Sequence, residues 1–355
     1  MKTRSMKLWL AAAILFPLLA TTAVAQSAPT ALASLPDADV LIYVSPQKIL
    51  NEAAPKVMPA KDLTEMRSAF ADMKKGAGID PSTVEYLVIA VRVHKPAADL
   101  SFVAPDILAV AGGDFSADSL FSLAQLSLQE KLRVEKHGSK TIALMKIDPI
   151  VAQAEKNPML KSLTEIGIVT LSGNSIAIGN LPYLKSAVDA AEGTGRINPA
   201  TLESLMRDPN VLMAATGAPI ASIARAFGLF GTQTTPREGR CDTPFGNFYT
   251  AITMSGSNFS LRGAMNADNP DTAKIISGLL SGLMKEGLSA IPDKDVQAVM
   301  QNIKMTPRDN EIVWEADVPQ TVVAEIFKPS KPAITVSAPQ PVKATTKRRV
   351  PRKRR

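Results

Sequence analysis

The chain has a single cysteine, Cys241, so it can form no internal disulfide and must fold on its core alone. It has two histidines, His94 and His137, far apart and without partners at ligand spacing, which excludes the common zinc patterns. Aromatic residues make up only 5% of the chain, so the core is built from alanine, leucine and valine. Phosphate loops are missing: Gly76-Ala77-Gly78 lacks a third glycine, Gly193-Thr194-Gly195 leads into Arg196-Ile197-Asn198-Pro199, and no Gly-Lys-Ser/Thr occurs. No cofactor motif remains. Beyond residue 25 no apolar run approaches the roughly 20 residues that a bilayer-spanning helix needs.

What is present begins at the N-terminus. Lys2, Arg4 and Lys7 precede an apolar run from Leu8 to Ala20, and Ala23-Val24-Ala25 follows as a site for a protease that accepts small side chains. Residues 1–25 are expected to be a cleaved export signal, with a retained anchor as the alternative. Pro17 and the shortness of the run favour cleavage. Export places the protein in the periplasm or outside the cell.

The formal charge of +7 hides two opposite parts. Lys343, Lys347, Arg348, Arg349, Arg352, Lys353, Arg354 and Arg355 form a basic end with no acid among residues 337–355. Once the signal and this end are set aside, residues 26–336 carry a net charge of −4. From 329 onward, prolines among serine, threonine and lysine give a composition that cannot bury a core. Cys241 lies in the polar stretch Pro236-Arg237-Glu238-Gly239-Arg240-Cys241-Asp242. An incidental thiol, an intermolecular disulfide and a thiol activated by nearby arginines all remain open there.

Val40–Val44, Val84–Val93, Asp106–Ala111, Thr141–Ile147, Ile166–Leu171 and Ser175–Gly179 read as strands. Leu63, Met66, Phe70 and Met73 recur at helical spacing, and Leu120, Leu123, Ala124 and Leu128 mark a second helix. The same grammar returns later. Asn210-Val211-Leu212 echoes Asp39-Val40-Leu41, and Gly263-Ala264-Met265-Asn266 echoes Ala111-Gly112-Gly113-Asp114. The run from Asn310 to Pro319 echoes that from Asn174 to Pro182. The expected fold is α+β with an internal duplication: two related lobes of mainly antiparallel sheet with helices on one face. The expected boundaries are a linker at 26–35, a first lobe at 36–192, a linker at 193–207, a second lobe at 208–328 and a basic tail at 329–355.

Three patterns invite chemistry. Ser45-Pro46-Gln47-Lys48 could place a lysine one helical turn from a serine nucleophile. It resembles the Ser-x-x-Lys motif of penicillin-binding proteins and serine β-lactamases. The resemblance stops there, because no lysine precedes Thr194-Gly195 and Ser172-Gly173-Asn174 sits where a hairpin turn needs it. The competing reading is a helix cap at Ser45 and a solvated Lys48. Asn266, Asp268 and Asp271 could offer oxygen ligands to a metal, but they lack the glycine and terminal glutamate of a calcium loop, and capping of the next helix competes. Asp114 and Asp118 hold the corresponding place in the first half. Lastly, Lys347, Arg348, Arg349, Arg352, Lys353, Arg354 and Arg355 could bind an anionic envelope surface, either lipid headgroups or acidic polymers. No aromatics interleave these cations, so base stacking on nucleic acid is unsupported.

Leu35-Pro36-Asp37-Ala38-Asp39-Val40, Gly78-Ile79-Asp80-Pro81 and Asn174-Ser175-Ile176-Ala177-Ile178-Gly179 together resemble a loose group of uncharacterised exported bacterial proteins. The resemblance implies export and a duplicated α+β fold, with no activity attached. The functional expectation is a non-catalytic binding or scaffold module of the cell envelope. A serine–lysine acyl hydrolase and a secreted nucleic-acid binder are the alternatives.

Overall fold

The structure is a computed structural model that describes residues 31–77, 80–94, 105–127, 132–146, 165–208, 210–217, 245–256, 258–288, 297 and 301–327. The expected signal with Ala23 and Ala25, Cys241, and the basic tail lie outside these residues.

The strands are β1 (Val40–Val44), β2 (Val84–Arg92), β3 (Asp106–Gly113), β4 (Leu132–His137), β5 (Lys140–Lys146) and β6 (Glu165–Ser172). They continue with β7 (Ser175–Gly179), β8 (Val211–Gly217), β9 (Phe245–Ser255), β10 (Asn258–Ala267), β11 (Lys304–Arg308) and β12 (Glu311–Pro319). All join one 12-stranded sheet in the order β11-β12-β10-β9-β8-β1-β2-β3-β7-β6-β5-β4. Every neighbouring pair is antiparallel. The described helices are α1 (Pro46–Lys48), α2 (Ala54–Val57), α3 (Ala60–Ala77), α4 (Ala117–Ser127), α5 (Leu181–Ala191), α6 (Pro199–Leu205), α7 (Pro270–Leu288) and α8 (Gln320–Phe327). None of them is long and apolar enough to cross a membrane.

The sheet contains its own repeat. Read outward from the centre, β1-β2-β3-β7-β6 on one side matches β8-β9-β10-β12-β11 on the other. In both halves a helix, α4 or α7, follows the third strand, and another, α5 or α8, follows the last. The first half adds the β4–β5 hairpin at its outer edge. Finer details repeat as well. The hairpin turn between β6 and β7 ends at Asn174, whose carbonyl accepts the Gly113 N–H (3.2 Å); the β11–β12 turn ends at Asn310, whose carbonyl accepts the Ala267 N–H (2.7 Å). Asp309 in that second turn has φ 48°, a conformation that aspartate tolerates better than most residues. A β-bulge adds a residue to β2 beside Gly113 and to β9 beside Ala267.

These contacts correct the sequence alignment of the halves at one point. Gly113 corresponds to Ala267 and Ala111 to Met265, two residues away from the glycine-guided echo. The glycines misled because they serve opposite faces. A Cβ on Gly112 would lie 2.2 Å from the Tyr86 hydroxyl, whereas one on Gly263 would lie 2.1 Å from the Trp314 ring.

Helices cover both faces of the first half, not one. On one face Tyr86, Val88, Leu108, Val110, Leu144 and Val169 pack under Tyr183, Leu184, Ala187 and Val188 of α5, and Leu205 of α6 joins the same core beside β8. On the other, Leu87, Ala111 and Ile176 pack under Ala117 and Leu120 of α4, with Met73 of α3 alongside. The sequence of β2, Val-Glu-Tyr-Leu-Val-Ile-Ala-Val-Arg, carries the reason: a near-continuous apolar run suits a strand buried on both sides, while alternation suits one that is half exposed. The stretch read as a linker at 193–207 contains α6, whose Leu205 is fully buried. In the second half α7 covers Met265, Ala267 and Ile312 through Ala273 and Ile276.

Replacing Gly112 by alanine should therefore destabilise the fold by about 1–3 kcal/mol, because the Tyr86 ring must move. Gly278, on the exposed side of α7 with open space around it, should gain about 0.5–1 kcal/mol on the same change. Urea denaturation of the two variants checks both signs.

Candidate functional site

Ser45 is 4% exposed, and its hydroxyl is engaged by the Tyr43 phenol. It occupies the cap position of α1 but makes no side-chain cap hydrogen bond, so the capping reading is corrected along with the loss of access. Lys48 ends α1 and leads directly into a π-helical turn, Ile49–Ala53. A nucleophile must meet its substrate, and this serine is covered. Asn266, Asp268 and Asp271 are all exposed, and Asp271 pairs with Lys274 at 3.5 Å. Asn269 is the residue that caps α7, accepting the Thr272 N–H at 2.8 Å. Ser116 does the same for α4 through the Ser119 N–H, in place of Asp114 or Asp118. Among the described residues no group of three or more histidine, cysteine, aspartate or glutamate side chains could hold a metal.

The two histidines are more engaged than surface residues need to be. His94 Nε2 lies 2.8 Å from Asp106 Oδ2, and His137 Nε2 lies 2.8 Å from Asp189 Oδ1. Asp106 is the centre of a network that the sequence did not reveal. It is 6% exposed and receives Arg92 at 3.0 Å as well as the Asn180 amide. Arg92 also lies over the Tyr183 ring, 4.4 Å from its centroid. Burial pushes the Tyr183 phenol well above its ordinary pKa, against the nearby Arg92 charge, so it stays protonated and donates to the Asp37 carbonyl at 3.0 Å. In the second half the corresponding cross-strand pair, Thr253 opposite Ser260, is buried and uncharged. The network therefore pins one end of the first half and is fully satisfied, a structural role.

The second half offers an unfilled site. In the first half α5 lies across the sheet, and its place is made by small and apolar residues: Gly167, Gly179, Leu108 and Ala177. A Cβ on Gly167 would come within 2.5 Å of Leu184 on that helix. The strand registers put Lys304, Glu315, Arg262 and Val313 at the four corresponding positions. A lysine in place of Gly167 and an arginine in place of Leu108 cannot receive an apolar helix. Accordingly α8 goes elsewhere, packing Val323 and Ala324 with Ala53 and Val57 of the α1–α2 segment.

This face, which no described helix covers, is a groove of about 310 Å³. Its floor is Gly263 and Ala264 of β10 with Val313 of β12, and Tyr249 of β9 forms one wall. Arg262 and Glu315 face each other at the middle of the β10–β12 ladder, Arg308 and Glu311 lie at its end, and Arg207 and Asp208 approach from beyond α6. Arg207 lies 6.0 Å from the centre of the Tyr249 ring. Burial raises the Tyr249 pKa, with the Asp208 charge adding to the shift and Arg207 opposing it, so the phenol is neutral at physiological pH. Such a concave patch, apolar at the floor with a few convergent polar groups, has the character of a small-ligand site. No motif marks it in the sequence. Only the comparison of equivalent strand positions brings it out.

No family model matches the chain, and no curated protein matches it. Among solved structures it is similar to one described as crystal form I of TP0453, at 12% identity over 83% of this chain and 95% of that one, with a TM-score of 0.42. It is likewise similar to crystal form III of TP0453, at 9% identity over 83% and 96%, with a TM-score of 0.45. A likeness at this level identifies no ligand.

Two outcomes follow from the polar contacts. Asp106→Ala should lower stability by about 1–3 kcal/mol, less than for a fully buried pair because Arg92 keeps partial access to water; thermal denaturation reads it. Hydrogen bonds from Lys185 and then Arg133 hold the Glu135 carboxyl below the ordinary carboxylate range. Its contribution is present above the unfolded-state pKa and is lost as pH falls through the lowered folded-state value. Melting temperatures of the native chain and Glu135→Gln should thus differ at neutral pH and converge in acid.

Proposed function

We propose that the chain is a non-catalytic binding module of the cell envelope, taking its ligand in the groove of the second half. In this reading it is exported by residues 1–25 and held at anionic surfaces by its basic tail. The groove carries the proposal: a helix covers the equivalent face of the first half, whereas this one is charged and no described helix covers it. The first half then serves as the rigid support, its equivalent face filled by α5. The burial of Ser45 disfavours hydrolysis. The groove lining, with as many acidic as basic groups, does not favour nucleic acid either.

The binding reading is tested by a fragment screen on the full chain, followed by amide NMR. Shifts confined to Tyr249, Ala264, Val313 and their neighbours support it, and hits scattered over the surface with none in the groove overturn it. The tail is tested by sedimentation with vesicles of mixed phosphatidylcholine and phosphatidylglycerol. Each of its seven clustered cations can contribute about 1 kcal/mol near such a surface. The quadruple change of Arg348, Arg349, Arg352 and Arg354 to glutamine should abolish co-sedimentation. Binding that survives about 1 M salt, where charges are screened beyond about 3 Å, would remove the electrostatic tether.

A further inference from the structure

We infer that the ligand of this groove bears an oxyanion, a carboxylate or a phosphate, held between Arg207 and Arg262 beside the Tyr249 ring. The inference rests on the binding reading above and specifies its chemistry.

Glu315 lies directly across the ladder from Arg262 and would be its natural counter-ion. It is taken from the other side by Arg308, whose Nη2 reaches Glu315 Oε1 at 3.3 Å. Asp208, next to Arg207, turns its Oδ1 to the Asn210 N–H at 2.9 Å. Among the described residues, Arg262 has no ion-pair partner and Arg207 meets only the face of Tyr249. Two guanidinium groups therefore border one concavity with their donors unspent. Each presents a planar fork of N–H groups that matches the two oxygens of a carboxylate or phosphate.

The position of Arg262 strengthens the case. Its counterpart in the first half is Leu108, fully buried beneath α5. A leucine at 262 would be the ordinary choice for a strand facing a helix. An arginine there, on a face that no described helix covers, gives the groove a charge-bearing rim above an apolar floor of Ala264 and Val313. Tyr249, which stays neutral, can add a hydroxyl donor without repelling an anion. Glu311 lies at the end of the β10–β12 ladder, level with Asn266. Near the arginines, Glu315 and Asp208 are engaged by Arg308 and the Asn210 N–H, while Glu311 disfavours ligands that are anionic at both ends.

The experiment is titration of the full chain with inorganic phosphate and, separately, with butyrate and acetate, followed by amide NMR at groove positions so that tail binding is read apart. Arg262→Leu restores the residue type of the first half and should preserve the fold. It should weaken binding about tenfold or more, as expected for losing a charge-assisted pair. Arg207→Gln should do the same, while the quadruple tail variant should leave groove affinity unchanged. A response to phosphate but not to the carboxylates assigns a phosphoryl ligand, the converse a carboxylate, and either supports the inference. Groove shifts that are indifferent to both arginine changes, or that vanish in the tail variant, overturn it. If uncharged fragments bind the groove while none of the anions do, the oxyanion inference fails and the binding reading stands. If nothing binds the groove, both fall.

Discussion

The antiparallel pairing of β1 with β8 is the contact on which the rest of the architecture depends. It places Ile42 opposite Ala215, and the registers of β1 with β2 and of β8 with β9 make these two residues equivalent. Equivalent residues that face each other across a ladder define an approximate two-fold axis through the sheet. A two-fold normal to a sheet keeps each face on its own side. That is why α4 and α7 lie on one face and why the groove lies on the face that α5 covers in the other half. Ladder hydrogen bonds and side chains such as Leu41 and Tyr43, which are buried in the shared core with Ala214 and Ala251, make the joint continuous.

From that axis the halves diverge by a few substitutions with large structural effect. Gly167 lets a helix lie against the sheet, and Lys304 at the same place does not. Leu108 gives that helix an apolar footing, and Arg262 withdraws it. The polar network around Asp106 holds one end of the first half, where the second uses a serine and a threonine. One half thereby has helices on both faces, and the other leaves the face around Arg262 and Val313 without a described one.

Much of the fold was legible in the chain because strand signals are local. Val40–Val44 and Ser175–Gly179 appear with the bounds read from β-branched runs and turn residues, and the asparagines at 174 and 310 marked equivalent hairpins. β4 was not seen, because Leu-Arg-Val-Glu-Lys-His gains its structure from pairing with β5 rather than from its own apolar content. The groove was invisible for a deeper reason. Arg262, Val313 and Glu315 are ordinary strand residues in sequence, and their meaning comes only from what stands at the matching positions of the other half. Likewise Asp106, His94 and Asn180 are distant in the chain and meet only when β2, β3 and the start of α5 converge.

The outermost strands of the sheet differ in how they meet the solvent. β11 reads Lys-Met-Thr-Pro-Arg, so Pro307 offers no N–H and two cations flank the ladder. Such an edge cannot template another strand. The β4 edge has no proline and exposes Val134, and among the described residues only the charged Arg133, Glu135 and Lys136 guard it. Growth of this sheet by strand exchange between copies can therefore start from one side alone. A ladder that accepts partners at one edge and refuses them at the other stops at a pair.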